Sequence, residues 1–396
     1  MRGVPEGLFE RTSPSGPLTE EHLALRDTMR DFVAREIVPH IDEWEEARRL
    51  PRSLYRKAAE VGLQGLIWPE ELGGSGGDFL MQIIAFEEIA RAGAGGVAAS
   101  LGSYSIGLPP IVKLGRPEIL ERYARPVIAG EKIAALCVTE PGGGSDVAAL
   151  RTTARRDGAH YVVNGEKTFI TSGVQADVLT VAVRTDLESR GAKGISFLVV
   201  EGDSPGLSRT ELFKMGWHAS DTAHLHFADV RVPAENLLGV EHEGFRAAML
   251  NFNDERLVIA AQAVGFAEAC LAEARAWAAE RSAFGCRLSE NQAIRHRLVE
   301  MVMQVDAART LVHDVVARRM AGADPLPTHI ARTAMAKITA TTALFNVAGQ
   351  AVQILGGMGY MRGTVSERVF RETKVLSIGG GADEILKDLA ARQMGF

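Results

Sequence analysis

The sequence predicts an α+β fold, in which a helical region is followed by a sheet or barrel and then by a bundle of long helices. Three regions of different hydrophobic period support this: apolar residues recur at helical spacing over 19–130, at strand spacing over 133–238, and at helical spacing again from Gly244 onward. A chain of 396 residues is too long for one ordinary core. We therefore expect a flexible arm at 1–17, an N-terminal helical domain at 18–131, a middle β domain at 132–240 and a C-terminal four-helix bundle domain at 241–396.

Composition narrows the class of protein. The chain is 46% hydrophobic and 24% charged, and its formal net charge of -6 argues against a general nucleic-acid binder. Its three cysteines, Cys137, Cys270 and Cys286, show neither metal nor disulfide spacing, which favours a reducing compartment. We expect no membrane span and no signal peptide, and a cytoplasmic bacterial protein, with an organelle matrix as the alternative.

The N-terminal region contains start signals and breaks that predict several helices. Thr19 with Glu20 and Glu21 forms a plausible helix start, and apolar residues follow at helical spacing from Leu23 to Ile37. Glycine-rich breaks at 72–77 and 93–96 separate further helices.

The middle region alternates as strands do. Runs at 160–163, 178–183 and 194–200 predict strands of an antiparallel sheet or barrel. Asn164-Gly165 is a strong hairpin signal, because both residues tolerate the positive φ of a type I′ turn.

The C-terminal region is alanine-rich and helical. Long segments at 245–281, 292–320 and 329–355 predict a bundle, and Pro325 and Pro327 separate the last two.

A glycine turn is the most informative local feature. An apolar strand ending at Val138 leads into Pro141, the three glycines Gly142 to Gly144, and then Ser145. Glycines allow a backbone to approach a flat ligand, and the amides of such a turn donate to carbonyl or phosphate oxygens.

Five segments together resemble the acyl-CoA dehydrogenase family. They are the glycine turn at 138–146, Lys167 to Ser172, Lys214 to Trp217 followed by Ser220 to Thr222, Arg281 to Gly285, and Gln353 to Tyr360. They occur in the family's order, and the helical N-terminal region fits the same plan. The resemblance implies an FAD cofactor held between the sheet domain and the C-terminal bundle.

The resemblance also implies the cofactor residues. On the middle domain they are Leu136, Val138, Thr139, Ser145, Phe169, Ile170 and Thr171, with Phe169 standing where most relatives carry tryptophan. A neighbouring subunit is expected to add Arg281, Phe284, Gln292, Gln353, Gly356 and Gly357, while Ala382 and Glu384 lie toward the adenine. A homo-oligomer, a tetramer in the family, follows from this division.

The expected base is not in its usual place. Many relatives carry a catalytic glutamate in a loop that matches residues 378–384, where this chain has Gly380. A branch that includes long-chain and isovaleryl-CoA dehydrogenases takes its base from a helix, and its Glu-Arg motif matches Glu255-Arg256. We therefore predict Glu255 as the base, the Gly380 amide as a donor to the thioester carbonyl, and Arg256 as the residue that orients the helix start. Further substrate contacts are expected at Ser145, Asn253, Asp254, Arg256 and Gly381.

Other candidates are weaker. Asp383 and Glu384 are rival acids near Gly380, and a glutamate such as Glu255 can also serve only to stabilise a helix N-terminus. His224 and His226 share a strand face, but no third metal ligand accompanies them, so no metal site is predicted. Cys137 fits a small apolar position, and no nicotinamide fingerprint occurs.

The resemblance implies α,β-dehydrogenation of an acyl-CoA to a trans-2-enoyl-CoA, with electrons passed from FAD to an electron-transferring flavoprotein. The base position suggests a longer or branched acyl chain, with depth for it at the small residues 92–96. Two alternatives remain open: an enoyl-CoA reductase or carrier-protein-bound acyl dehydrogenase with the same site, and a flavin-binding assembly partner.

Overall fold

The computed structural model describes residues 12–13, 16–189 and 191–396. The arm predicted at 1–17 lies outside the described residues except for two short paired strands, β1 (Thr12–Ser13) and β2 (Gly16–Pro17). The fold class is confirmed: helices come first, then a sheet, then long helices.

The first helical layer is held by a capped start and an apolar core. The Thr19 hydroxyl accepts from the His22 amide at 3.3 Å, which caps the first helix as the sequence predicts. The fourth helix is buried on most of its surface, including Ile83, Phe86 and Ile89. The helices are α1 (Glu20–Phe32), α2 (Ile41–Ala47), α3 (Arg52–Glu60), α4 (Phe79–Ala90), α5 (Gly95–Leu101), α6 (Tyr104–Leu114), α7 (Pro117–Ile119) and α8 (Arg125–Ile128).

The middle layer is one mixed sheet. Its strands are β3 (Ala134–Cys137), β4 (Thr153–Asp157), β5 (His160–Thr171), β6 (Val178–Arg184), β7 (Ile195–Glu201), β8 (Leu207–Glu211), β9 (Thr222–Pro233) and β10 (Leu237–Leu238). They lie in the order β10-β7-β6-β4-β5-β9-β8, and β3 pairs with β6. The expected antiparallel pairing holds for most neighbours, but β3 and β4 each pair with β6 in parallel. The pair of β3 with β6 can be parallel because a long connection, residues 138–177, which includes β4 and β5, joins these two strands.

The hairpin predicted at Asn164-Gly165 is wrong. Both residues lie inside β5, at a register shift against β9, and the turn that joins β4 to β5 contains Gly158 instead, with φ +58°. Gly165 has φ +141°, and a side chain there would collide with the Thr152 Cα at 2.7 Å. The glycine therefore serves a bulge with close backbone contact, a role that the dipeptide alone does not distinguish from a turn.

The C-terminal layer is a bundle of long helices with two shorter ones. They are α9 (Gly244–Glu280), α10 (Gln292–Met320), α11 (Leu326–Leu355), α12 (Val365–Ile378) and α13 (Asp383–Met394). Between α9 and α10 lie two short strands, β11 (Ser282–Ala283) and β12 (Cys286–Arg287). Because α9, α10 and α11 alternate in direction, the end of α9, the start of α10 and the end of α11 meet at one end of the bundle.

The three layers meet at Glu372 of α12. Its buried carboxylate accepts from the amide of Gly95 at 2.7 Å and from the amide of Trp217 at 2.9 Å. The expected depth for an acyl chain at 92–96 is therefore wrong, because a side chain on Gly95 would lie 2.3 Å from Trp217 Nε1. At Gly93 it would lie 2.4 Å from Val365. These glycines are needed for close packing between domains.

Two helical stretches are long and apolar enough to cross a membrane, Asn251–Glu280 and Leu326–Tyr360. In the described fold their most apolar windows are 83% and 50% buried, as in the core helices of a bundle.

Candidate active site

Glu255 lies in the interior of α9, three turns after the helix begins at Gly244. Glu255 therefore does not serve to stabilise the N-terminus of α9, since the interaction of a carboxylate with the helix dipole is confined to the first turn. The side chain is half-buried, and burial raises the pKa of its carboxyl group to about 7, although Arg256 opposes the rise. A carboxylate with this pKa is suited to accept a proton near neutral pH.

Arg256 joins this helix to the loop between α12 and α13. Its Nε donates to the Gly380 carbonyl at 2.9 Å, and its Nη1 donates to Asn253 Oδ1 at 2.9 Å. The expectation that Arg256 orients the helix start is wrong, because it lies three turns inside α9 and holds the loop instead. Arg256 and Gly380 are 124 residues apart in the sequence. Their hydrogen bond brings the part of α9 that carries Glu255 next to the glycine loop.

The loop is shaped so that position 380 cannot easily carry an acid. Gly380 has φ +67°, and a Cβ added there would lie 2.6 Å from the Ile259 Cδ1 atom. Ile259 is one turn beyond Glu255 on the same face of α9. The Gly380 amide donates to no group in the described part of the chain, so it is open to a ligand.

The neighbouring charged residues are already paired. Asp383 accepts from the buried Lys337 Nζ at 3.0 Å, and the same ammonium donates to the Gly381 carbonyl at 3.1 Å. Asp254 takes two hydrogen bonds from Arg319, both at 2.8 Å. Glu384 is exposed on α13. Of the acids in this region, Glu255 is thus the half-buried one without a hydrogen-bonded cation among the described residues.

A second cluster lies on the middle domain. Phe169 has φ +58° and is 71% exposed, because the register of β5 shifts between Lys167 and Ile170. This bulge directs the aromatic ring out of the sheet, at the cost of an unfavourable backbone conformation. Thr139 lies beside it, and its carbonyl accepts from the Thr168 amide at 2.9 Å. Ile170, in contrast, is buried in the core, so only its backbone is available to a cofactor.

The glycine turn fits a flat cofactor such as FAD. Gly142, Gly143 and Gly144 do not have positive φ, and an added Cβ would meet nothing closer than 3.7 Å. Neither conformation nor crowding within the chain therefore explains the three glycines, whereas a ligand over the turn does. The amides of Val138 and Thr139 likewise have no acceptor among the described residues.

The residues expected from a neighbouring subunit form a third group, at the far end of the bundle. Phe284 has φ +54° and is fully exposed, and Arg281 stands 5.9 Å from the Trp277 ring. The other members are also on the surface: Gln292, Gln353, Gly356 and Gly357. Along α9, Arg281 is about 39 Å from Glu255, at about 1.5 Å per residue. One chain therefore does not bring the two groups together.

Some residues of the site were not predicted from the sequence. Lys167 lies buried beneath the glycine turn, Glu372 connects the three layers, and Arg319 holds Asp254. Lys167 was visible as a charged residue inside a strand, which is an unusual position. The two partners of Glu372 are 277 and 155 residues away and the partner of Arg319 is 65 residues away, so no local pattern signals them.

The remaining candidates have ordinary surroundings. His224 and His226 flank Glu166, at 3.9 and 3.5 Å, and no group of three metal-binding side chains occurs among the described residues. Cys137 is fully buried, and burial raises the pKa of its thiol to about 12, so it is not a nucleophile at neutral pH.

Comparison with known families covers almost the whole chain. Residues 19–131 match the acyl-CoA dehydrogenase N-terminal domain, residues 135–230 the middle domain and residues 242–395 the C-terminal domain. The chain is 37% identical over 378 residues to the rat mitochondrial long-chain specific acyl-CoA dehydrogenase, covering 95% of this chain and 87% of that protein. It is 39% identical over 370 residues to the mouse short-chain specific enzyme, covering 93% and 88%.

Solved structures of acyl-CoA dehydrogenases also superimpose on this chain. A probable acyl-CoA dehydrogenase from Mycobacterium abscessus superimposes with a TM-score of 0.92 at 49% identity, over 95% of this chain and 99% of that one. An acyl-CoA dehydrogenase from Bacillus anthracis in complex with FAD superimposes with a TM-score of 0.89 at 30% identity, over 99% of this chain and 71% of that one.

Proposed function

The chain belongs to the acyl-CoA dehydrogenase family, FAD-dependent oxidoreductases that act on CH-CH groups, and from that premise we propose that it converts an acyl-CoA to a trans-2-enoyl-CoA with Glu255 as base. The observation that carries the proposal is the environment of Glu255. It is a half-buried carboxylate with a pKa near 7, and Arg256 connects its helix to a loop whose Gly380 amide is unpaired among the described residues.

In the proposed reaction the α C–H bond breaks and its proton passes to the Glu255 carboxylate. The β hydrogen would leave with its electron pair, for which bound FAD would be the two-electron acceptor, and a double bond would form between the α and β carbons. The Gly380 amide donates to the thioester carbonyl as negative charge develops there, a contribution of about 3 kcal/mol for one donor of this type. Arg256 keeps that amide in place through its bond to the Gly380 carbonyl.

Substrate contacts follow from the same cluster. Asn253, Asp254 and Gly381 lie around Arg256, and we propose that they line the thioester and pantetheine path together with Ser145 from the glycine turn. Arg319 holds Asp254 with two hydrogen bonds and stacks over the Phe79 ring at 3.8 Å. These bonds fix the position of the Asp254 carboxylate.

The acyl chain is proposed to run along one face of α9. Ile259, Gln262 and Phe266 follow Glu255 at helical spacing on that face. Gln262 is only 6% exposed and is a polar residue between the apolar Ile259 and Phe266 on this face. A buried amide of this kind is tolerated where it faces water or a ligand. We propose that it lies at the end of the acyl site, about 10 Å along the helix from Glu255, and that Gln262→Ala shifts the preference toward longer acyl-CoA thioesters.

A homo-oligomer, a tetramer by family precedent, is proposed because the third group of cofactor residues is far from Glu255 in one chain. Most of the exposed large apolar side chains lie on the C-terminal domain, and within the described residues the N-terminal helices have none. They include Phe345 and Phe370, whose rings stack with their centroids 6.2 Å apart.

The proposal also includes an electron-transferring flavoprotein as the electron acceptor and a cytoplasmic location.

The decisive experiment uses Glu255→Gln, which keeps the shape of the side chain and removes the base. The purified variant should retain FAD, while the rate at which a panel of acyl-CoA thioesters bleaches the flavin should fall by roughly a thousandfold or more. Full bleaching by this variant would eliminate Glu255 as the base.

The Glu255→Gln variant tests the assembly-partner alternative, and wild-type protein tests the reductase alternative. An assembly partner would keep its cellular role when Glu255→Gln abolishes bleaching. For a reductase, photoreduced wild-type protein would be reoxidised rapidly by an enoyl-CoA and bleached poorly by the saturated thioester.

A further inference from the structure

Lys167 is a buried lysine beneath the glycine turn and next to the strand segment that exposes the Phe169 ring, the two features proposed to contact the flavin. It lies on β5, two residues before Phe169, and its side chain is fully buried. The Nζ donates to the Val138 carbonyl at 3.0 Å and to Glu140 Oε1 at 2.8 Å. The Glu140 carboxylate also accepts from the amides of Arg151 at 2.6 Å and Thr152 at 2.9 Å. One ion pair thus connects the glycine turn, the segment before β4, and β5.

Both side chains of this pair are buried, and the Lys167 Nζ and Glu140 Oε1 atoms lie 2.8 Å apart. Burial lowers the pKa of Lys167, but Glu140 opposes this, and the Lys167 ammonium helps to hold the pKa of Glu140 below its usual value. A buried ion pair is often no more stabilising than an apolar pair of similar volume, because both charges lose their water. Stability alone is therefore a weak explanation for placing charges here.

The geometry of the peptide unit suggests a more specific role. In a planar trans peptide the C=O and N–H bonds point in opposite directions. Because the Val138 carbonyl points to the Lys167 ammonium, the Thr139 N–H of the same peptide unit points away from that ammonium. That N–H has no acceptor among the described residues.

We propose that Lys167 is a positioning residue, which fixes and polarises the Val138–Thr139 peptide so that the Thr139 N–H donates to an acceptor atom of bound FAD. The ammonium draws electron density toward the carbonyl and makes the N–H a stronger donor. A stronger donor stabilises the electron-rich reduced flavin, so Lys167 raises the midpoint potential of the cofactor. This inference rests on FAD occupying the glycine turn and is independent of Glu255 as the base.

The test compares variants of the pair, using substrate-free holoenzyme at pH 6. The readouts are the midpoint potential from dye-coupled reduction, the visible absorption spectrum and the dissociation constant of FAD. In Lys167→Met/Glu140→Gln, which removes both charges, the potential should fall, the spectrum should shift and the dissociation constant should rise about tenfold. Glu140→Gln alone leaves the ammonium without its counter-charge, so the potential should rise. Lys167→Arg should restore values near wild type.

The control is Arg52→Met/Asp177→Asn, which removes another ion pair at the opposite end of β3. Asp177 accepts from the Ile133 amide at 2.8 Å, so this variant loosens the same strand without touching Val138. It should lower the melting temperature and leave the potential unchanged. If the neutral pair variant keeps the wild-type potential and spectrum, or if Glu140→Gln moves the potential downward, the proposal is overturned. If the neutral pair does not fold, the direction of the Glu140→Gln shift decides alone.

Discussion

At the scale of single residues, the most informative one is a glutamate whose surroundings raise its pKa. Burial raises the pKa of Glu255 to about 7, and the carboxylate is the form that accepts a proton. We expect kcat/KM for acyl-CoA to increase with pH through about 7 and to level off above it, because the free enzyme must be deprotonated there. Stopped-flow reduction of the flavin measures this directly.

Glu372 provides the control for that profile. Burial and the nearby Glu45 raise its pKa to about 7 as well, but it lies at the domain junction, where its hydrogen bonds to described residues come from the backbone amides of Gly95 and Trp217. Glu372→Gln should therefore keep the inflection of kcat/KM near pH 7. Loss of the inflection in this variant would assign the titration to the junction instead of to Glu255.

Gly380 can be tested against a second glycine of similar conformation. Gly380→Ala should destabilise the protein by about 3 kcal/mol, since it combines the left-handed strain with a collision with Ile259. Gly158 has φ +58°, and a Cβ added there would meet no other atom within 4 Å. Gly158→Ala should therefore lower the free energy of unfolding by only about 1 kcal/mol. Thermal unfolding of both variants measures the difference, and we expect flavin reduction to slow only for Gly380→Ala. Equal losses would mean that Ile259 yields to the added methyl group.

At the scale of elements, the glycines between α4 and α5 are packing positions. Gly95→Ala would place a methyl group 2.3 Å from Trp217 Nε1 and 2.8 Å from the Glu372 carboxylate. We expect a loss of about 2 to 3 kcal/mol from this overpacking, measured as a lower melting temperature with a changed flavin spectrum. Gly349→Ala in α11, whose nearest neighbour is Phe370 at 3.6 Å, is the matched helical control and should be neutral or slightly stabilising. Similar melting temperatures for the two variants would contradict the close packing at Gly95.

At the scale of the whole molecule, the division of cofactor residues predicts subunit complementation. Glu255→Gln and Arg281→Ala should each be nearly inactive when expressed alone. Co-expressed, they should regain a substantial part of the activity, because a hybrid assembly has sites that combine an intact Glu255 from one chain with an intact Arg281 from another. Activity of tagged, co-purified hybrids measures this, and absence of recovery in hybrids that retain FAD would place both residues in one single-chain site.

The sequence predicts much of this molecule because much of its information is local. Hydrophobic period separates the helical, sheet and helical layers, and Thr19 is the first cap as predicted, since both effects act within a few residues. The order of the motifs along the chain is sufficient to indicate the family, and the family matches confirm it. The absence of an acid at Gly380 is likewise visible directly in the sequence.

Other features were decided only by tertiary structure, because they depend on atoms from distant parts of the chain. Asn164-Gly165 is chemically suited to a turn, yet its contact with Thr152 places it in a bulge. The glycines at 93–96 suggested empty space, but Trp217, Val365 and Glu372 fill it. Lys167 reaches Val138 and Glu140 because β5 and the glycine turn fold against each other. Local preference determines which conformations a segment tolerates, while packing against remote residues determines which of them it adopts.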